Sequence, residues 1–486
     1  MEERYIVTAD FGSYKTALAV AKVGTGYNQV IYFKEFPSAG IKHGAIWNPM
    51  KASEMLKAAI SDAENELGIK ITQLVVNYPR MGLKQETATG QTQRTDETTC
   101  ITQEEVDYIK SMALSSYPLD DEDKEVIYGA VPQSFATDDS IGLREDDIVG
   151  MTSSLIEGNF KVFVGRKKAL RNIDIVLNNA GVALARKYFS PEIVADVVLT
   201  VEEKENGVAL LEIGGGVSSV TIYEGGILRY YFSIPYGGAN ISSDIRRECG
   251  FNEALAENIK LGYGACMPDK LQSLTDKILR ISNENGGTYQ DVPVKYISEI
   301  ITCRMSEIVD ALLFKIQESN YADRLNAGVV LTGGCASLTN CSGLIRSMSG
   351  YNVRVGFPRL KDISPNDFGA IMEPGNASTI GMLHRAAFDV INCTKEFVPF
   401  ESPKAPEVIV ESPISEIEQE LLHQTPVPQQ EPETPNLEGT VFDPAEPEKP
   451  EPAKTTPKQP GKFITTLTRW TKKLGDTTGQ LFGDME

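Results

Sequence analysis

The feature that most restricts how this 486-residue chain can fold is a pattern that occurs twice. Near the start stands YIVTADFGSYKTALAVAKV, and about 200 residues later GVALLEIGGGVSSVTIYEGG. Each reads as an apolar strand closing on an acid, a glycine turn with small polar residues, and a second strand. Asp10-x-Gly12 and Glu212-x-Gly214 hold the same place in the two units. The echo predicts two related halves, each offering one hairpin turn. Three successive glycines, Gly214, Gly215 and Gly216, are more than an ordinary hairpin needs.

Turns of this kind suit a polyphosphate. Glycine has no Cβ and tolerates positive φ, so backbone N–H groups can approach an anion closely and curve around it as a nest. Two facing nests would hold a row of phosphates from both sides. Asp10 and Glu212 would then stand beside the phosphates, where they can hold Mg2+, usually through water because that ion dehydrates reluctantly. Ser13 adds a hydroxyl and Lys15 a positive charge, with Tyr14 between them. Either turn alone is as readily a plain glycine-rich hairpin. The pair, in register and with an acid each time, favours phosphate binding.

Composition removes several classes. A net charge of −20 argues against general nucleic-acid binding. The seven cysteines are odd in number and include no C-x-x-C pair, which argues against a disulfide framework or a zinc site and for a reducing compartment. Three histidines make a His-centred triad a poor prospect. MEERYIVTADFG shows no charged-then-apolar leader, so secretion is not expected. No apolar run approaches the roughly 18 residues of a membrane-spanning helix.

The double hairpin resembles the actin, Hsp70 and sugar-kinase superfamily, and its details are similar to the FtsA family of bacterial cell-division proteins. The family's D-I-G-G-G-T appears here as Glu212-Ile213-Gly214-Gly215-Gly216-Val217. LRYYFSIPYGGANISSDI resembles the strand and helix that follow it. EALAENIKLGYGAC matches A-E-x-I-K-x-x-x-G at Ala256, Glu257, Ile259, Lys260 and Gly264. VVLTGGCASLTN matches V-L-T-G-G-x-A, and NASTIGMLHRA resembles S-x-A-x-G-L-L. Five motifs in order cover roughly residues 4–390.

The resemblance implies an α/β, actin-like two-lobed ATPase fold that binds ATP and Mg2+ between its lobes. Glu212 stands where the family usually has Asp, Val217 where it has Thr, and Ser219 where Asp is common. Nucleotide binding is therefore expected, with Glu212 the candidate for Mg2+ and for at most slow hydrolysis. On the adenosine side, Glu257 and Lys260 are three apart on one helix face. The carboxylate suits ribose hydroxyls and the lysine suits the base; read alone, they are more readily a surface ion pair, and the ordered motif set favours the nucleotide role. Gly333 and Gly334 close an apolar strand and should open a helix, and bare backbone there can pass a base or ribose.

The same resemblance divides the chain into subdomain 1A over 1–83, an inserted 1C over 84–162, and 1A again over 163–205. Subdomain 2A follows over 206–242, 2B over 243–324, 2A again over 325–367, and a return to 1A over 368–395. The insert carries Asp146-Asp147-Ile148-Val149-Gly150-Met151 and in the family serves filament contacts and later division proteins. VKYISEIITCRMSEIVDALLFKIQE has a helical apolar stripe at Ile297, Ile300, Ile301, Ile308, Leu312 and Ile316. Arg304 and Glu307 lie off its centre and match positions where the family docks the C-terminal peptide of the tubulin-like protein FtsZ. Composition alone makes them an ordinary solvated face.

Beyond the fold, residues 396–460 read as a disordered tether. Between Pro399 and Pro460 lie 14 of the chain's 26 prolines, and 13 acids face four lysines. Residues 461–486 are apolar and basic again. At 100° per residue, Phe463, Ile464, Leu467, Trp470, Leu474, Leu481 and Phe482 fall within an arc of about 120°. Lys462, Arg469, Lys472 and Lys473 share the opposite side. That is the pattern of an amphipathic helix on an anionic membrane surface; with it, the resemblance implies a peripheral protein at the cytoplasmic face of the cell membrane, at the division site.

Bland expectations complete the reading. Cys335 and Cys341 are buried thiols, Trp47 and Tyr78 pack in cores, and QETATGQTQRTDETT is an exposed mobile loop. Two function classes compete. One is an ATP-binding scaffold that polymerises on the membrane and tethers FtsZ. The other is an enzyme on the same fold, a kinase or free-running ATPase. A pilus-assembly actin-like ATPase is a nearer alternative. A kinase needs a base aimed at a substrate hydroxyl, and no extra acid stands out for that role.

Overall fold

The computed structural model describes residues 3–24, 28–272, 277–282, 289–359, 363–366, 368–389 and 391–395. The expected tether over 396–460 and amphipathic helix over 461–486 lie outside the described residues.

Two five-stranded sheets repeat one topology. In the first the order is Ala183–Tyr188, Gln73–Asn77, Arg4–Phe11, Lys15–Val23, Gln29–Pro37. In the second it is Val353–Val355, Val329–Thr332, Val208–Ile213, Ser218–Glu224, Ile227–Ile234. Each half is a three-stranded antiparallel meander extended by two parallel strands. Registers correspond: Asp10 pairs with Ala17 across the first hairpin, and Glu212 with Ser219 across the second. The repeat read in the sequence is thus a repeat in space, with both glycine turns at equivalent strand ends.

The central strands are apolar on both faces because helices cover both. Val208-Ala209-Leu210-Leu211 and Val329-Val330-Leu331-Thr332 are buried throughout, as parallel-sheet interiors require. Helix Ala377–Phe388 packs on Arg4–Phe11 and on helix Ser190–Val198. One apolar core runs from Ile6, Leu18 and Leu74 through Val194 and Leu383 to Leu210 and Val330. Helix Val294–Glu318 occupies the stretch predicted for it and buries Ile297, Ile301, Ile308, Leu312 and Ile316, with Ile300 half-buried.

Residues 84–166 build a separate four-stranded antiparallel sheet in the order Ile141–Leu143, Glu125–Ala136, Leu155–Arg166, Lys84–Gln93. Helix Gln103–Ser115 covers it, opened by a reciprocal cap between Thr102 and Glu105. Its core is its own: Ile109, Phe135, Ile148, Ile156 and Phe160 among others.

Two expectations need correction. The stretch expected as a mobile loop is a strand as far as Gln93, paired with Leu155–Arg166. Its buried face consists of Ala88 and Gly90, small residues that admit Ile109 of the covering helix. An inward face without large apolar side chains hides the alternation that marks a strand. Trp47 is not in a core but 62% exposed, with Lys42 Nζ 5.7 Å from its ring centroid. Tyr78 is half-buried against the core and stacks on Tyr128 at 5.0 Å.

Because the 84–166 sheet has its own core, damage there should stay local. Phe160→Ala removes the partner of an edge-to-face contact with Phe135 at 5.8 Å and should cost about 3–5 kcal/mol. Hydrogen exchange followed by mass spectrometry is expected to show lost protection within 84–166 and unchanged protection in both five-stranded sheets.

Candidate functional site

The two glycine turns face each other across a cleft of about 670 Å³ lined by both, within the range of roughly 300–1,000 Å³ of small-molecule sites. Their contact explains the bare backbone at Gly215 and Gly216. A Cβ on Gly215 would lie 2.9 Å from Tyr14 Cβ, and one on Gly216 would lie 2.7 Å from Ser13 Cβ and Oγ. The second turn meets the first at its tip, leaving no room for a side chain.

A short loop fastens this meeting point. The Gly44 N–H donates to Ser13 Oγ at 2.7 Å, and His43 Nδ1 lies 3.2 Å from the Gly216 carbonyl. Ser13 therefore accepts a backbone donor, in addition to the donor role expected of it. Lys15 Nζ donates to Glu35 Oε1 at 2.5 Å and Asn376 Oδ1 at 2.9 Å, so its charge is held at the cleft wall. Val217 lines the cleft and would touch any Cβ at Gly44.

Glu257 and Lys260 are not a surface ion pair. They are 5% and 7% exposed, 2.7 Å apart on helix Glu253–Tyr263. Glu257 also accepts a hydrogen bond from Ser242 Oγ, and Lys260 Nζ donates to the Gly238 carbonyl at 3.1 Å. Lys260 Nζ lies 5.9 Å from the Tyr14 ring centroid, a cation–π approach between lobes. Gly333 and Gly334 line the same cleft, and the chain enters a 3-10 turn, Gly334–Ser337, where a helix was expected; the helix starts later, at Cys341. Cys335 and Cys341 are buried free thiols. Burial pushes the Cys335 thiol up to about 11, which keeps it protonated and inert at neutral pH.

The two acids have partners that the motifs did not announce. Asn77 Nδ2 donates to Asp10 Oδ1 at 3.0 Å and to Ser378 Oγ at 2.8 Å. Arg80 forms an ion pair with Glu212 from the opposite lobe. Burial opposes the Arg80 charge, but the carboxylates of Glu212 and then Asp10 more than offset it and hold the guanidinium protonated. The pair expected to hold Mg2+ thus already has a resident cation. Among the described residues no group of three or more His, Cys, Asp or Glu side chains is placed to hold a metal ion. With Glu212 taken up by Arg80 and Asp10 Oδ1 by Asn77, the two acids as they stand do not fit a divalent ion.

Asn77, Arg80, Asn376 and the His43–Gly44 loop were missed by sequence reasoning. They reach the cleft from separate segments, and only the order of strands brings them together. Arg304 and Glu307 stand on helix Val294–Glu318, away from the cleft. Arg304 grips Asp244 of helix Gly238–Cys249 with two hydrogen bonds, 2.5 and 3.1 Å, and donates to Glu307 at 2.7 Å.

Lys260→Met would leave the Glu257 carboxylate buried without its counter-charge. Removing one partner of a buried pair costs about 3–5 kcal/mol, so urea unfolding should move to clearly lower denaturant. Adding Glu257→Gln to the same chain should restore most of that loss.

Comparisons with known proteins agree with this architecture. A family model described as "Cell division protein FtsA" matches residues 209–381. The cell division protein FtsA of Neisseria meningitidis serogroup B is 26% identical over 392 residues, covering 79% of this chain and 91% of the relative. That of Streptococcus pneumoniae serotype 2 is 27% identical over 389 residues, covering 79% and 83%. A solved PilM–PilN type IV pilus biogenesis complex superposes with a TM-score of 0.55 at 15% identity, over 79% of this chain and 98% of that one. The chain is thus similar to cell division proteins described as FtsA over 79% of its length, and it has the actin-like fold.

Proposed function

We propose that this chain is an ATP-binding, actin-like cell-division protein that assembles on the cytoplasmic face of the cell membrane and tethers FtsZ to it. The observation that carries the nucleotide reading is the meeting of two glycine turns, at equivalent strand ends, over one cleft. Backbone N–H groups of the first turn, around Gly12 to Lys15, and of the second, Gly214 to Gly216, would receive the phosphates. Glu257 and Lys260 would receive the ribose and base, with Gly333 and Gly334 closing the other wall. Pre-formed hydrogen bonds hold both residues at fixed positions, which lowers the ordering cost of binding.

Arg304 and Glu307 would form part of the docking surface for the FtsZ C-terminal peptide, and the 84–166 sheet would serve contacts between subunits and later division proteins. The amphipathic pattern of residues 461–486 would supply the membrane anchor, at about 1 kcal/mol per cation near an anionic surface. The tether, about 65 residues with a coil span of roughly 45 Å, would let the folded body stand off the surface. No helix among the described residues is long and apolar enough to cross a membrane.

Two measurements test the reading. Gly215→Phe places a ring against Tyr14, where the second turn must close. Isothermal titration is expected to show ATP affinity at least about tenfold weaker than in the parent chain, and unchanged affinity would refute the phosphate role of that turn. In flotation with anionic vesicles, the parent chain should rise with the lipid, whereas Trp470→Glu or removal of residues 461–486 should leave it at the bottom. Retained flotation would mean that the anchor lies elsewhere.

A further inference from the structure

The position of Arg80 says something about how the cleft manages its own negative charge. Arg80 follows strand Gln73–Asn77 of the first lobe, yet it is fixed from the second. Its carbonyl accepts hydrogen bonds from Tyr231 Oη at 2.8 Å and Ser233 Oγ at 3.0 Å, both on strand Ile227–Ile234. Its guanidinium pairs with Glu212. With backbone and side chain both fastened, the guanidinium has a determined place rather than a surface rotamer. Asp10, Arg80 and Glu212 all line the cleft. The two acids hold matching positions near the ends of equivalent strands; Arg80 is paired with one and lies within electrostatic reach of the other.

We propose that Arg80 stands in for the divalent cation: its guanidinium supplies the counter-charge for Asp10 and Glu212, and the cleft takes up a nucleoside triphosphate with little dependence on Mg2+. The inference rests on the reading that the cleft holds a nucleotide. A metal ion binding Glu212 would have to separate it from Arg80, leaving a partly buried guanidinium unpaired, which is unfavourable. A guanidinium carries five N–H donors in a planar fork, so one that holds a carboxylate still has donors for a phosphate oxygen. It cannot, however, deliver or orient water as a hydrated Mg2+ does.

The test uses the full chain and two readouts. Electron paramagnetic resonance of added Mn2+, without nucleotide, should show no binding to the parent protein and binding to Arg80→Gln, where the acids are released. ATP affinity should change by less than about threefold between EDTA and excess Mg2+ in the parent, and by more than about tenfold in Arg80→Gln. Arg80→Lys keeps the charge with a shorter reach and should fall between them, which preserves the test should the glutamine variant not fold. Mn2+ binding to the parent, or an ATP affinity equally Mg2+-dependent in parent and variant, would overturn the proposal. If no protein binds ATP under either condition, the nucleotide reading fails, and the Mn2+ result still decides whether Arg80 displaces a cation.

Discussion

The rest of the structure depends on the meeting of two hairpin turns that have no side chains to keep them apart. Gly215 and Gly216 let the second lobe's turn close on Tyr14 and Ser13 of the first. From that contact follow the position of the cleft that Asp10 and Glu212 both line, and the placing of the 41–46 loop over both turns through Ser13 and Gly216. A Cβ at either glycine would act on all of them at once.

Buried charge completes the arrangement. Of the ion pairs that line the cleft, two lie largely out of solvent, Glu257 with Lys260 inside the second lobe and Glu212 with Arg80 between lobes. Neither is a source of net stability by itself, since desolvation offsets much of the attraction. Their consequence is positional: each fixes where a charge stands before any ligand arrives. The Arg80 pair also links the lobes, so the proposed nucleotide site and the contact between lobes would share a residue. A phosphate that drew the guanidinium away from Glu212 would loosen that link.

Much of this was legible in the sequence because it is carried by local pattern. The duplicated strand–acid–glycine unit announced two related halves, and the apolar stripe from Ile297 to Ile316 announced the long helix. What was not legible is assembled from segments far apart in the chain. Arg80 and Asn77 follow or end an unremarkable apolar strand, and nothing in NYPRMG signals that they reach Glu212 and Asp10. Strand Lys84–Gln93 escaped because its inward face is Ala88 and Gly90. Trp47 misled for the opposite reason: at the end of the short strand Ala45–Ile46 it is Ile46 that enters the core, and the larger Trp47 beside it is left exposed.

The central claim is that one nucleotide is held by both turns together. Amide hydrogen exchange, with and without ATP, tests it most directly. The account predicts that residues 11–16 and 213–218 gain protection together, at the same ATP concentration. Protection of one turn alone, or of neither while ATP is bound, would contradict it.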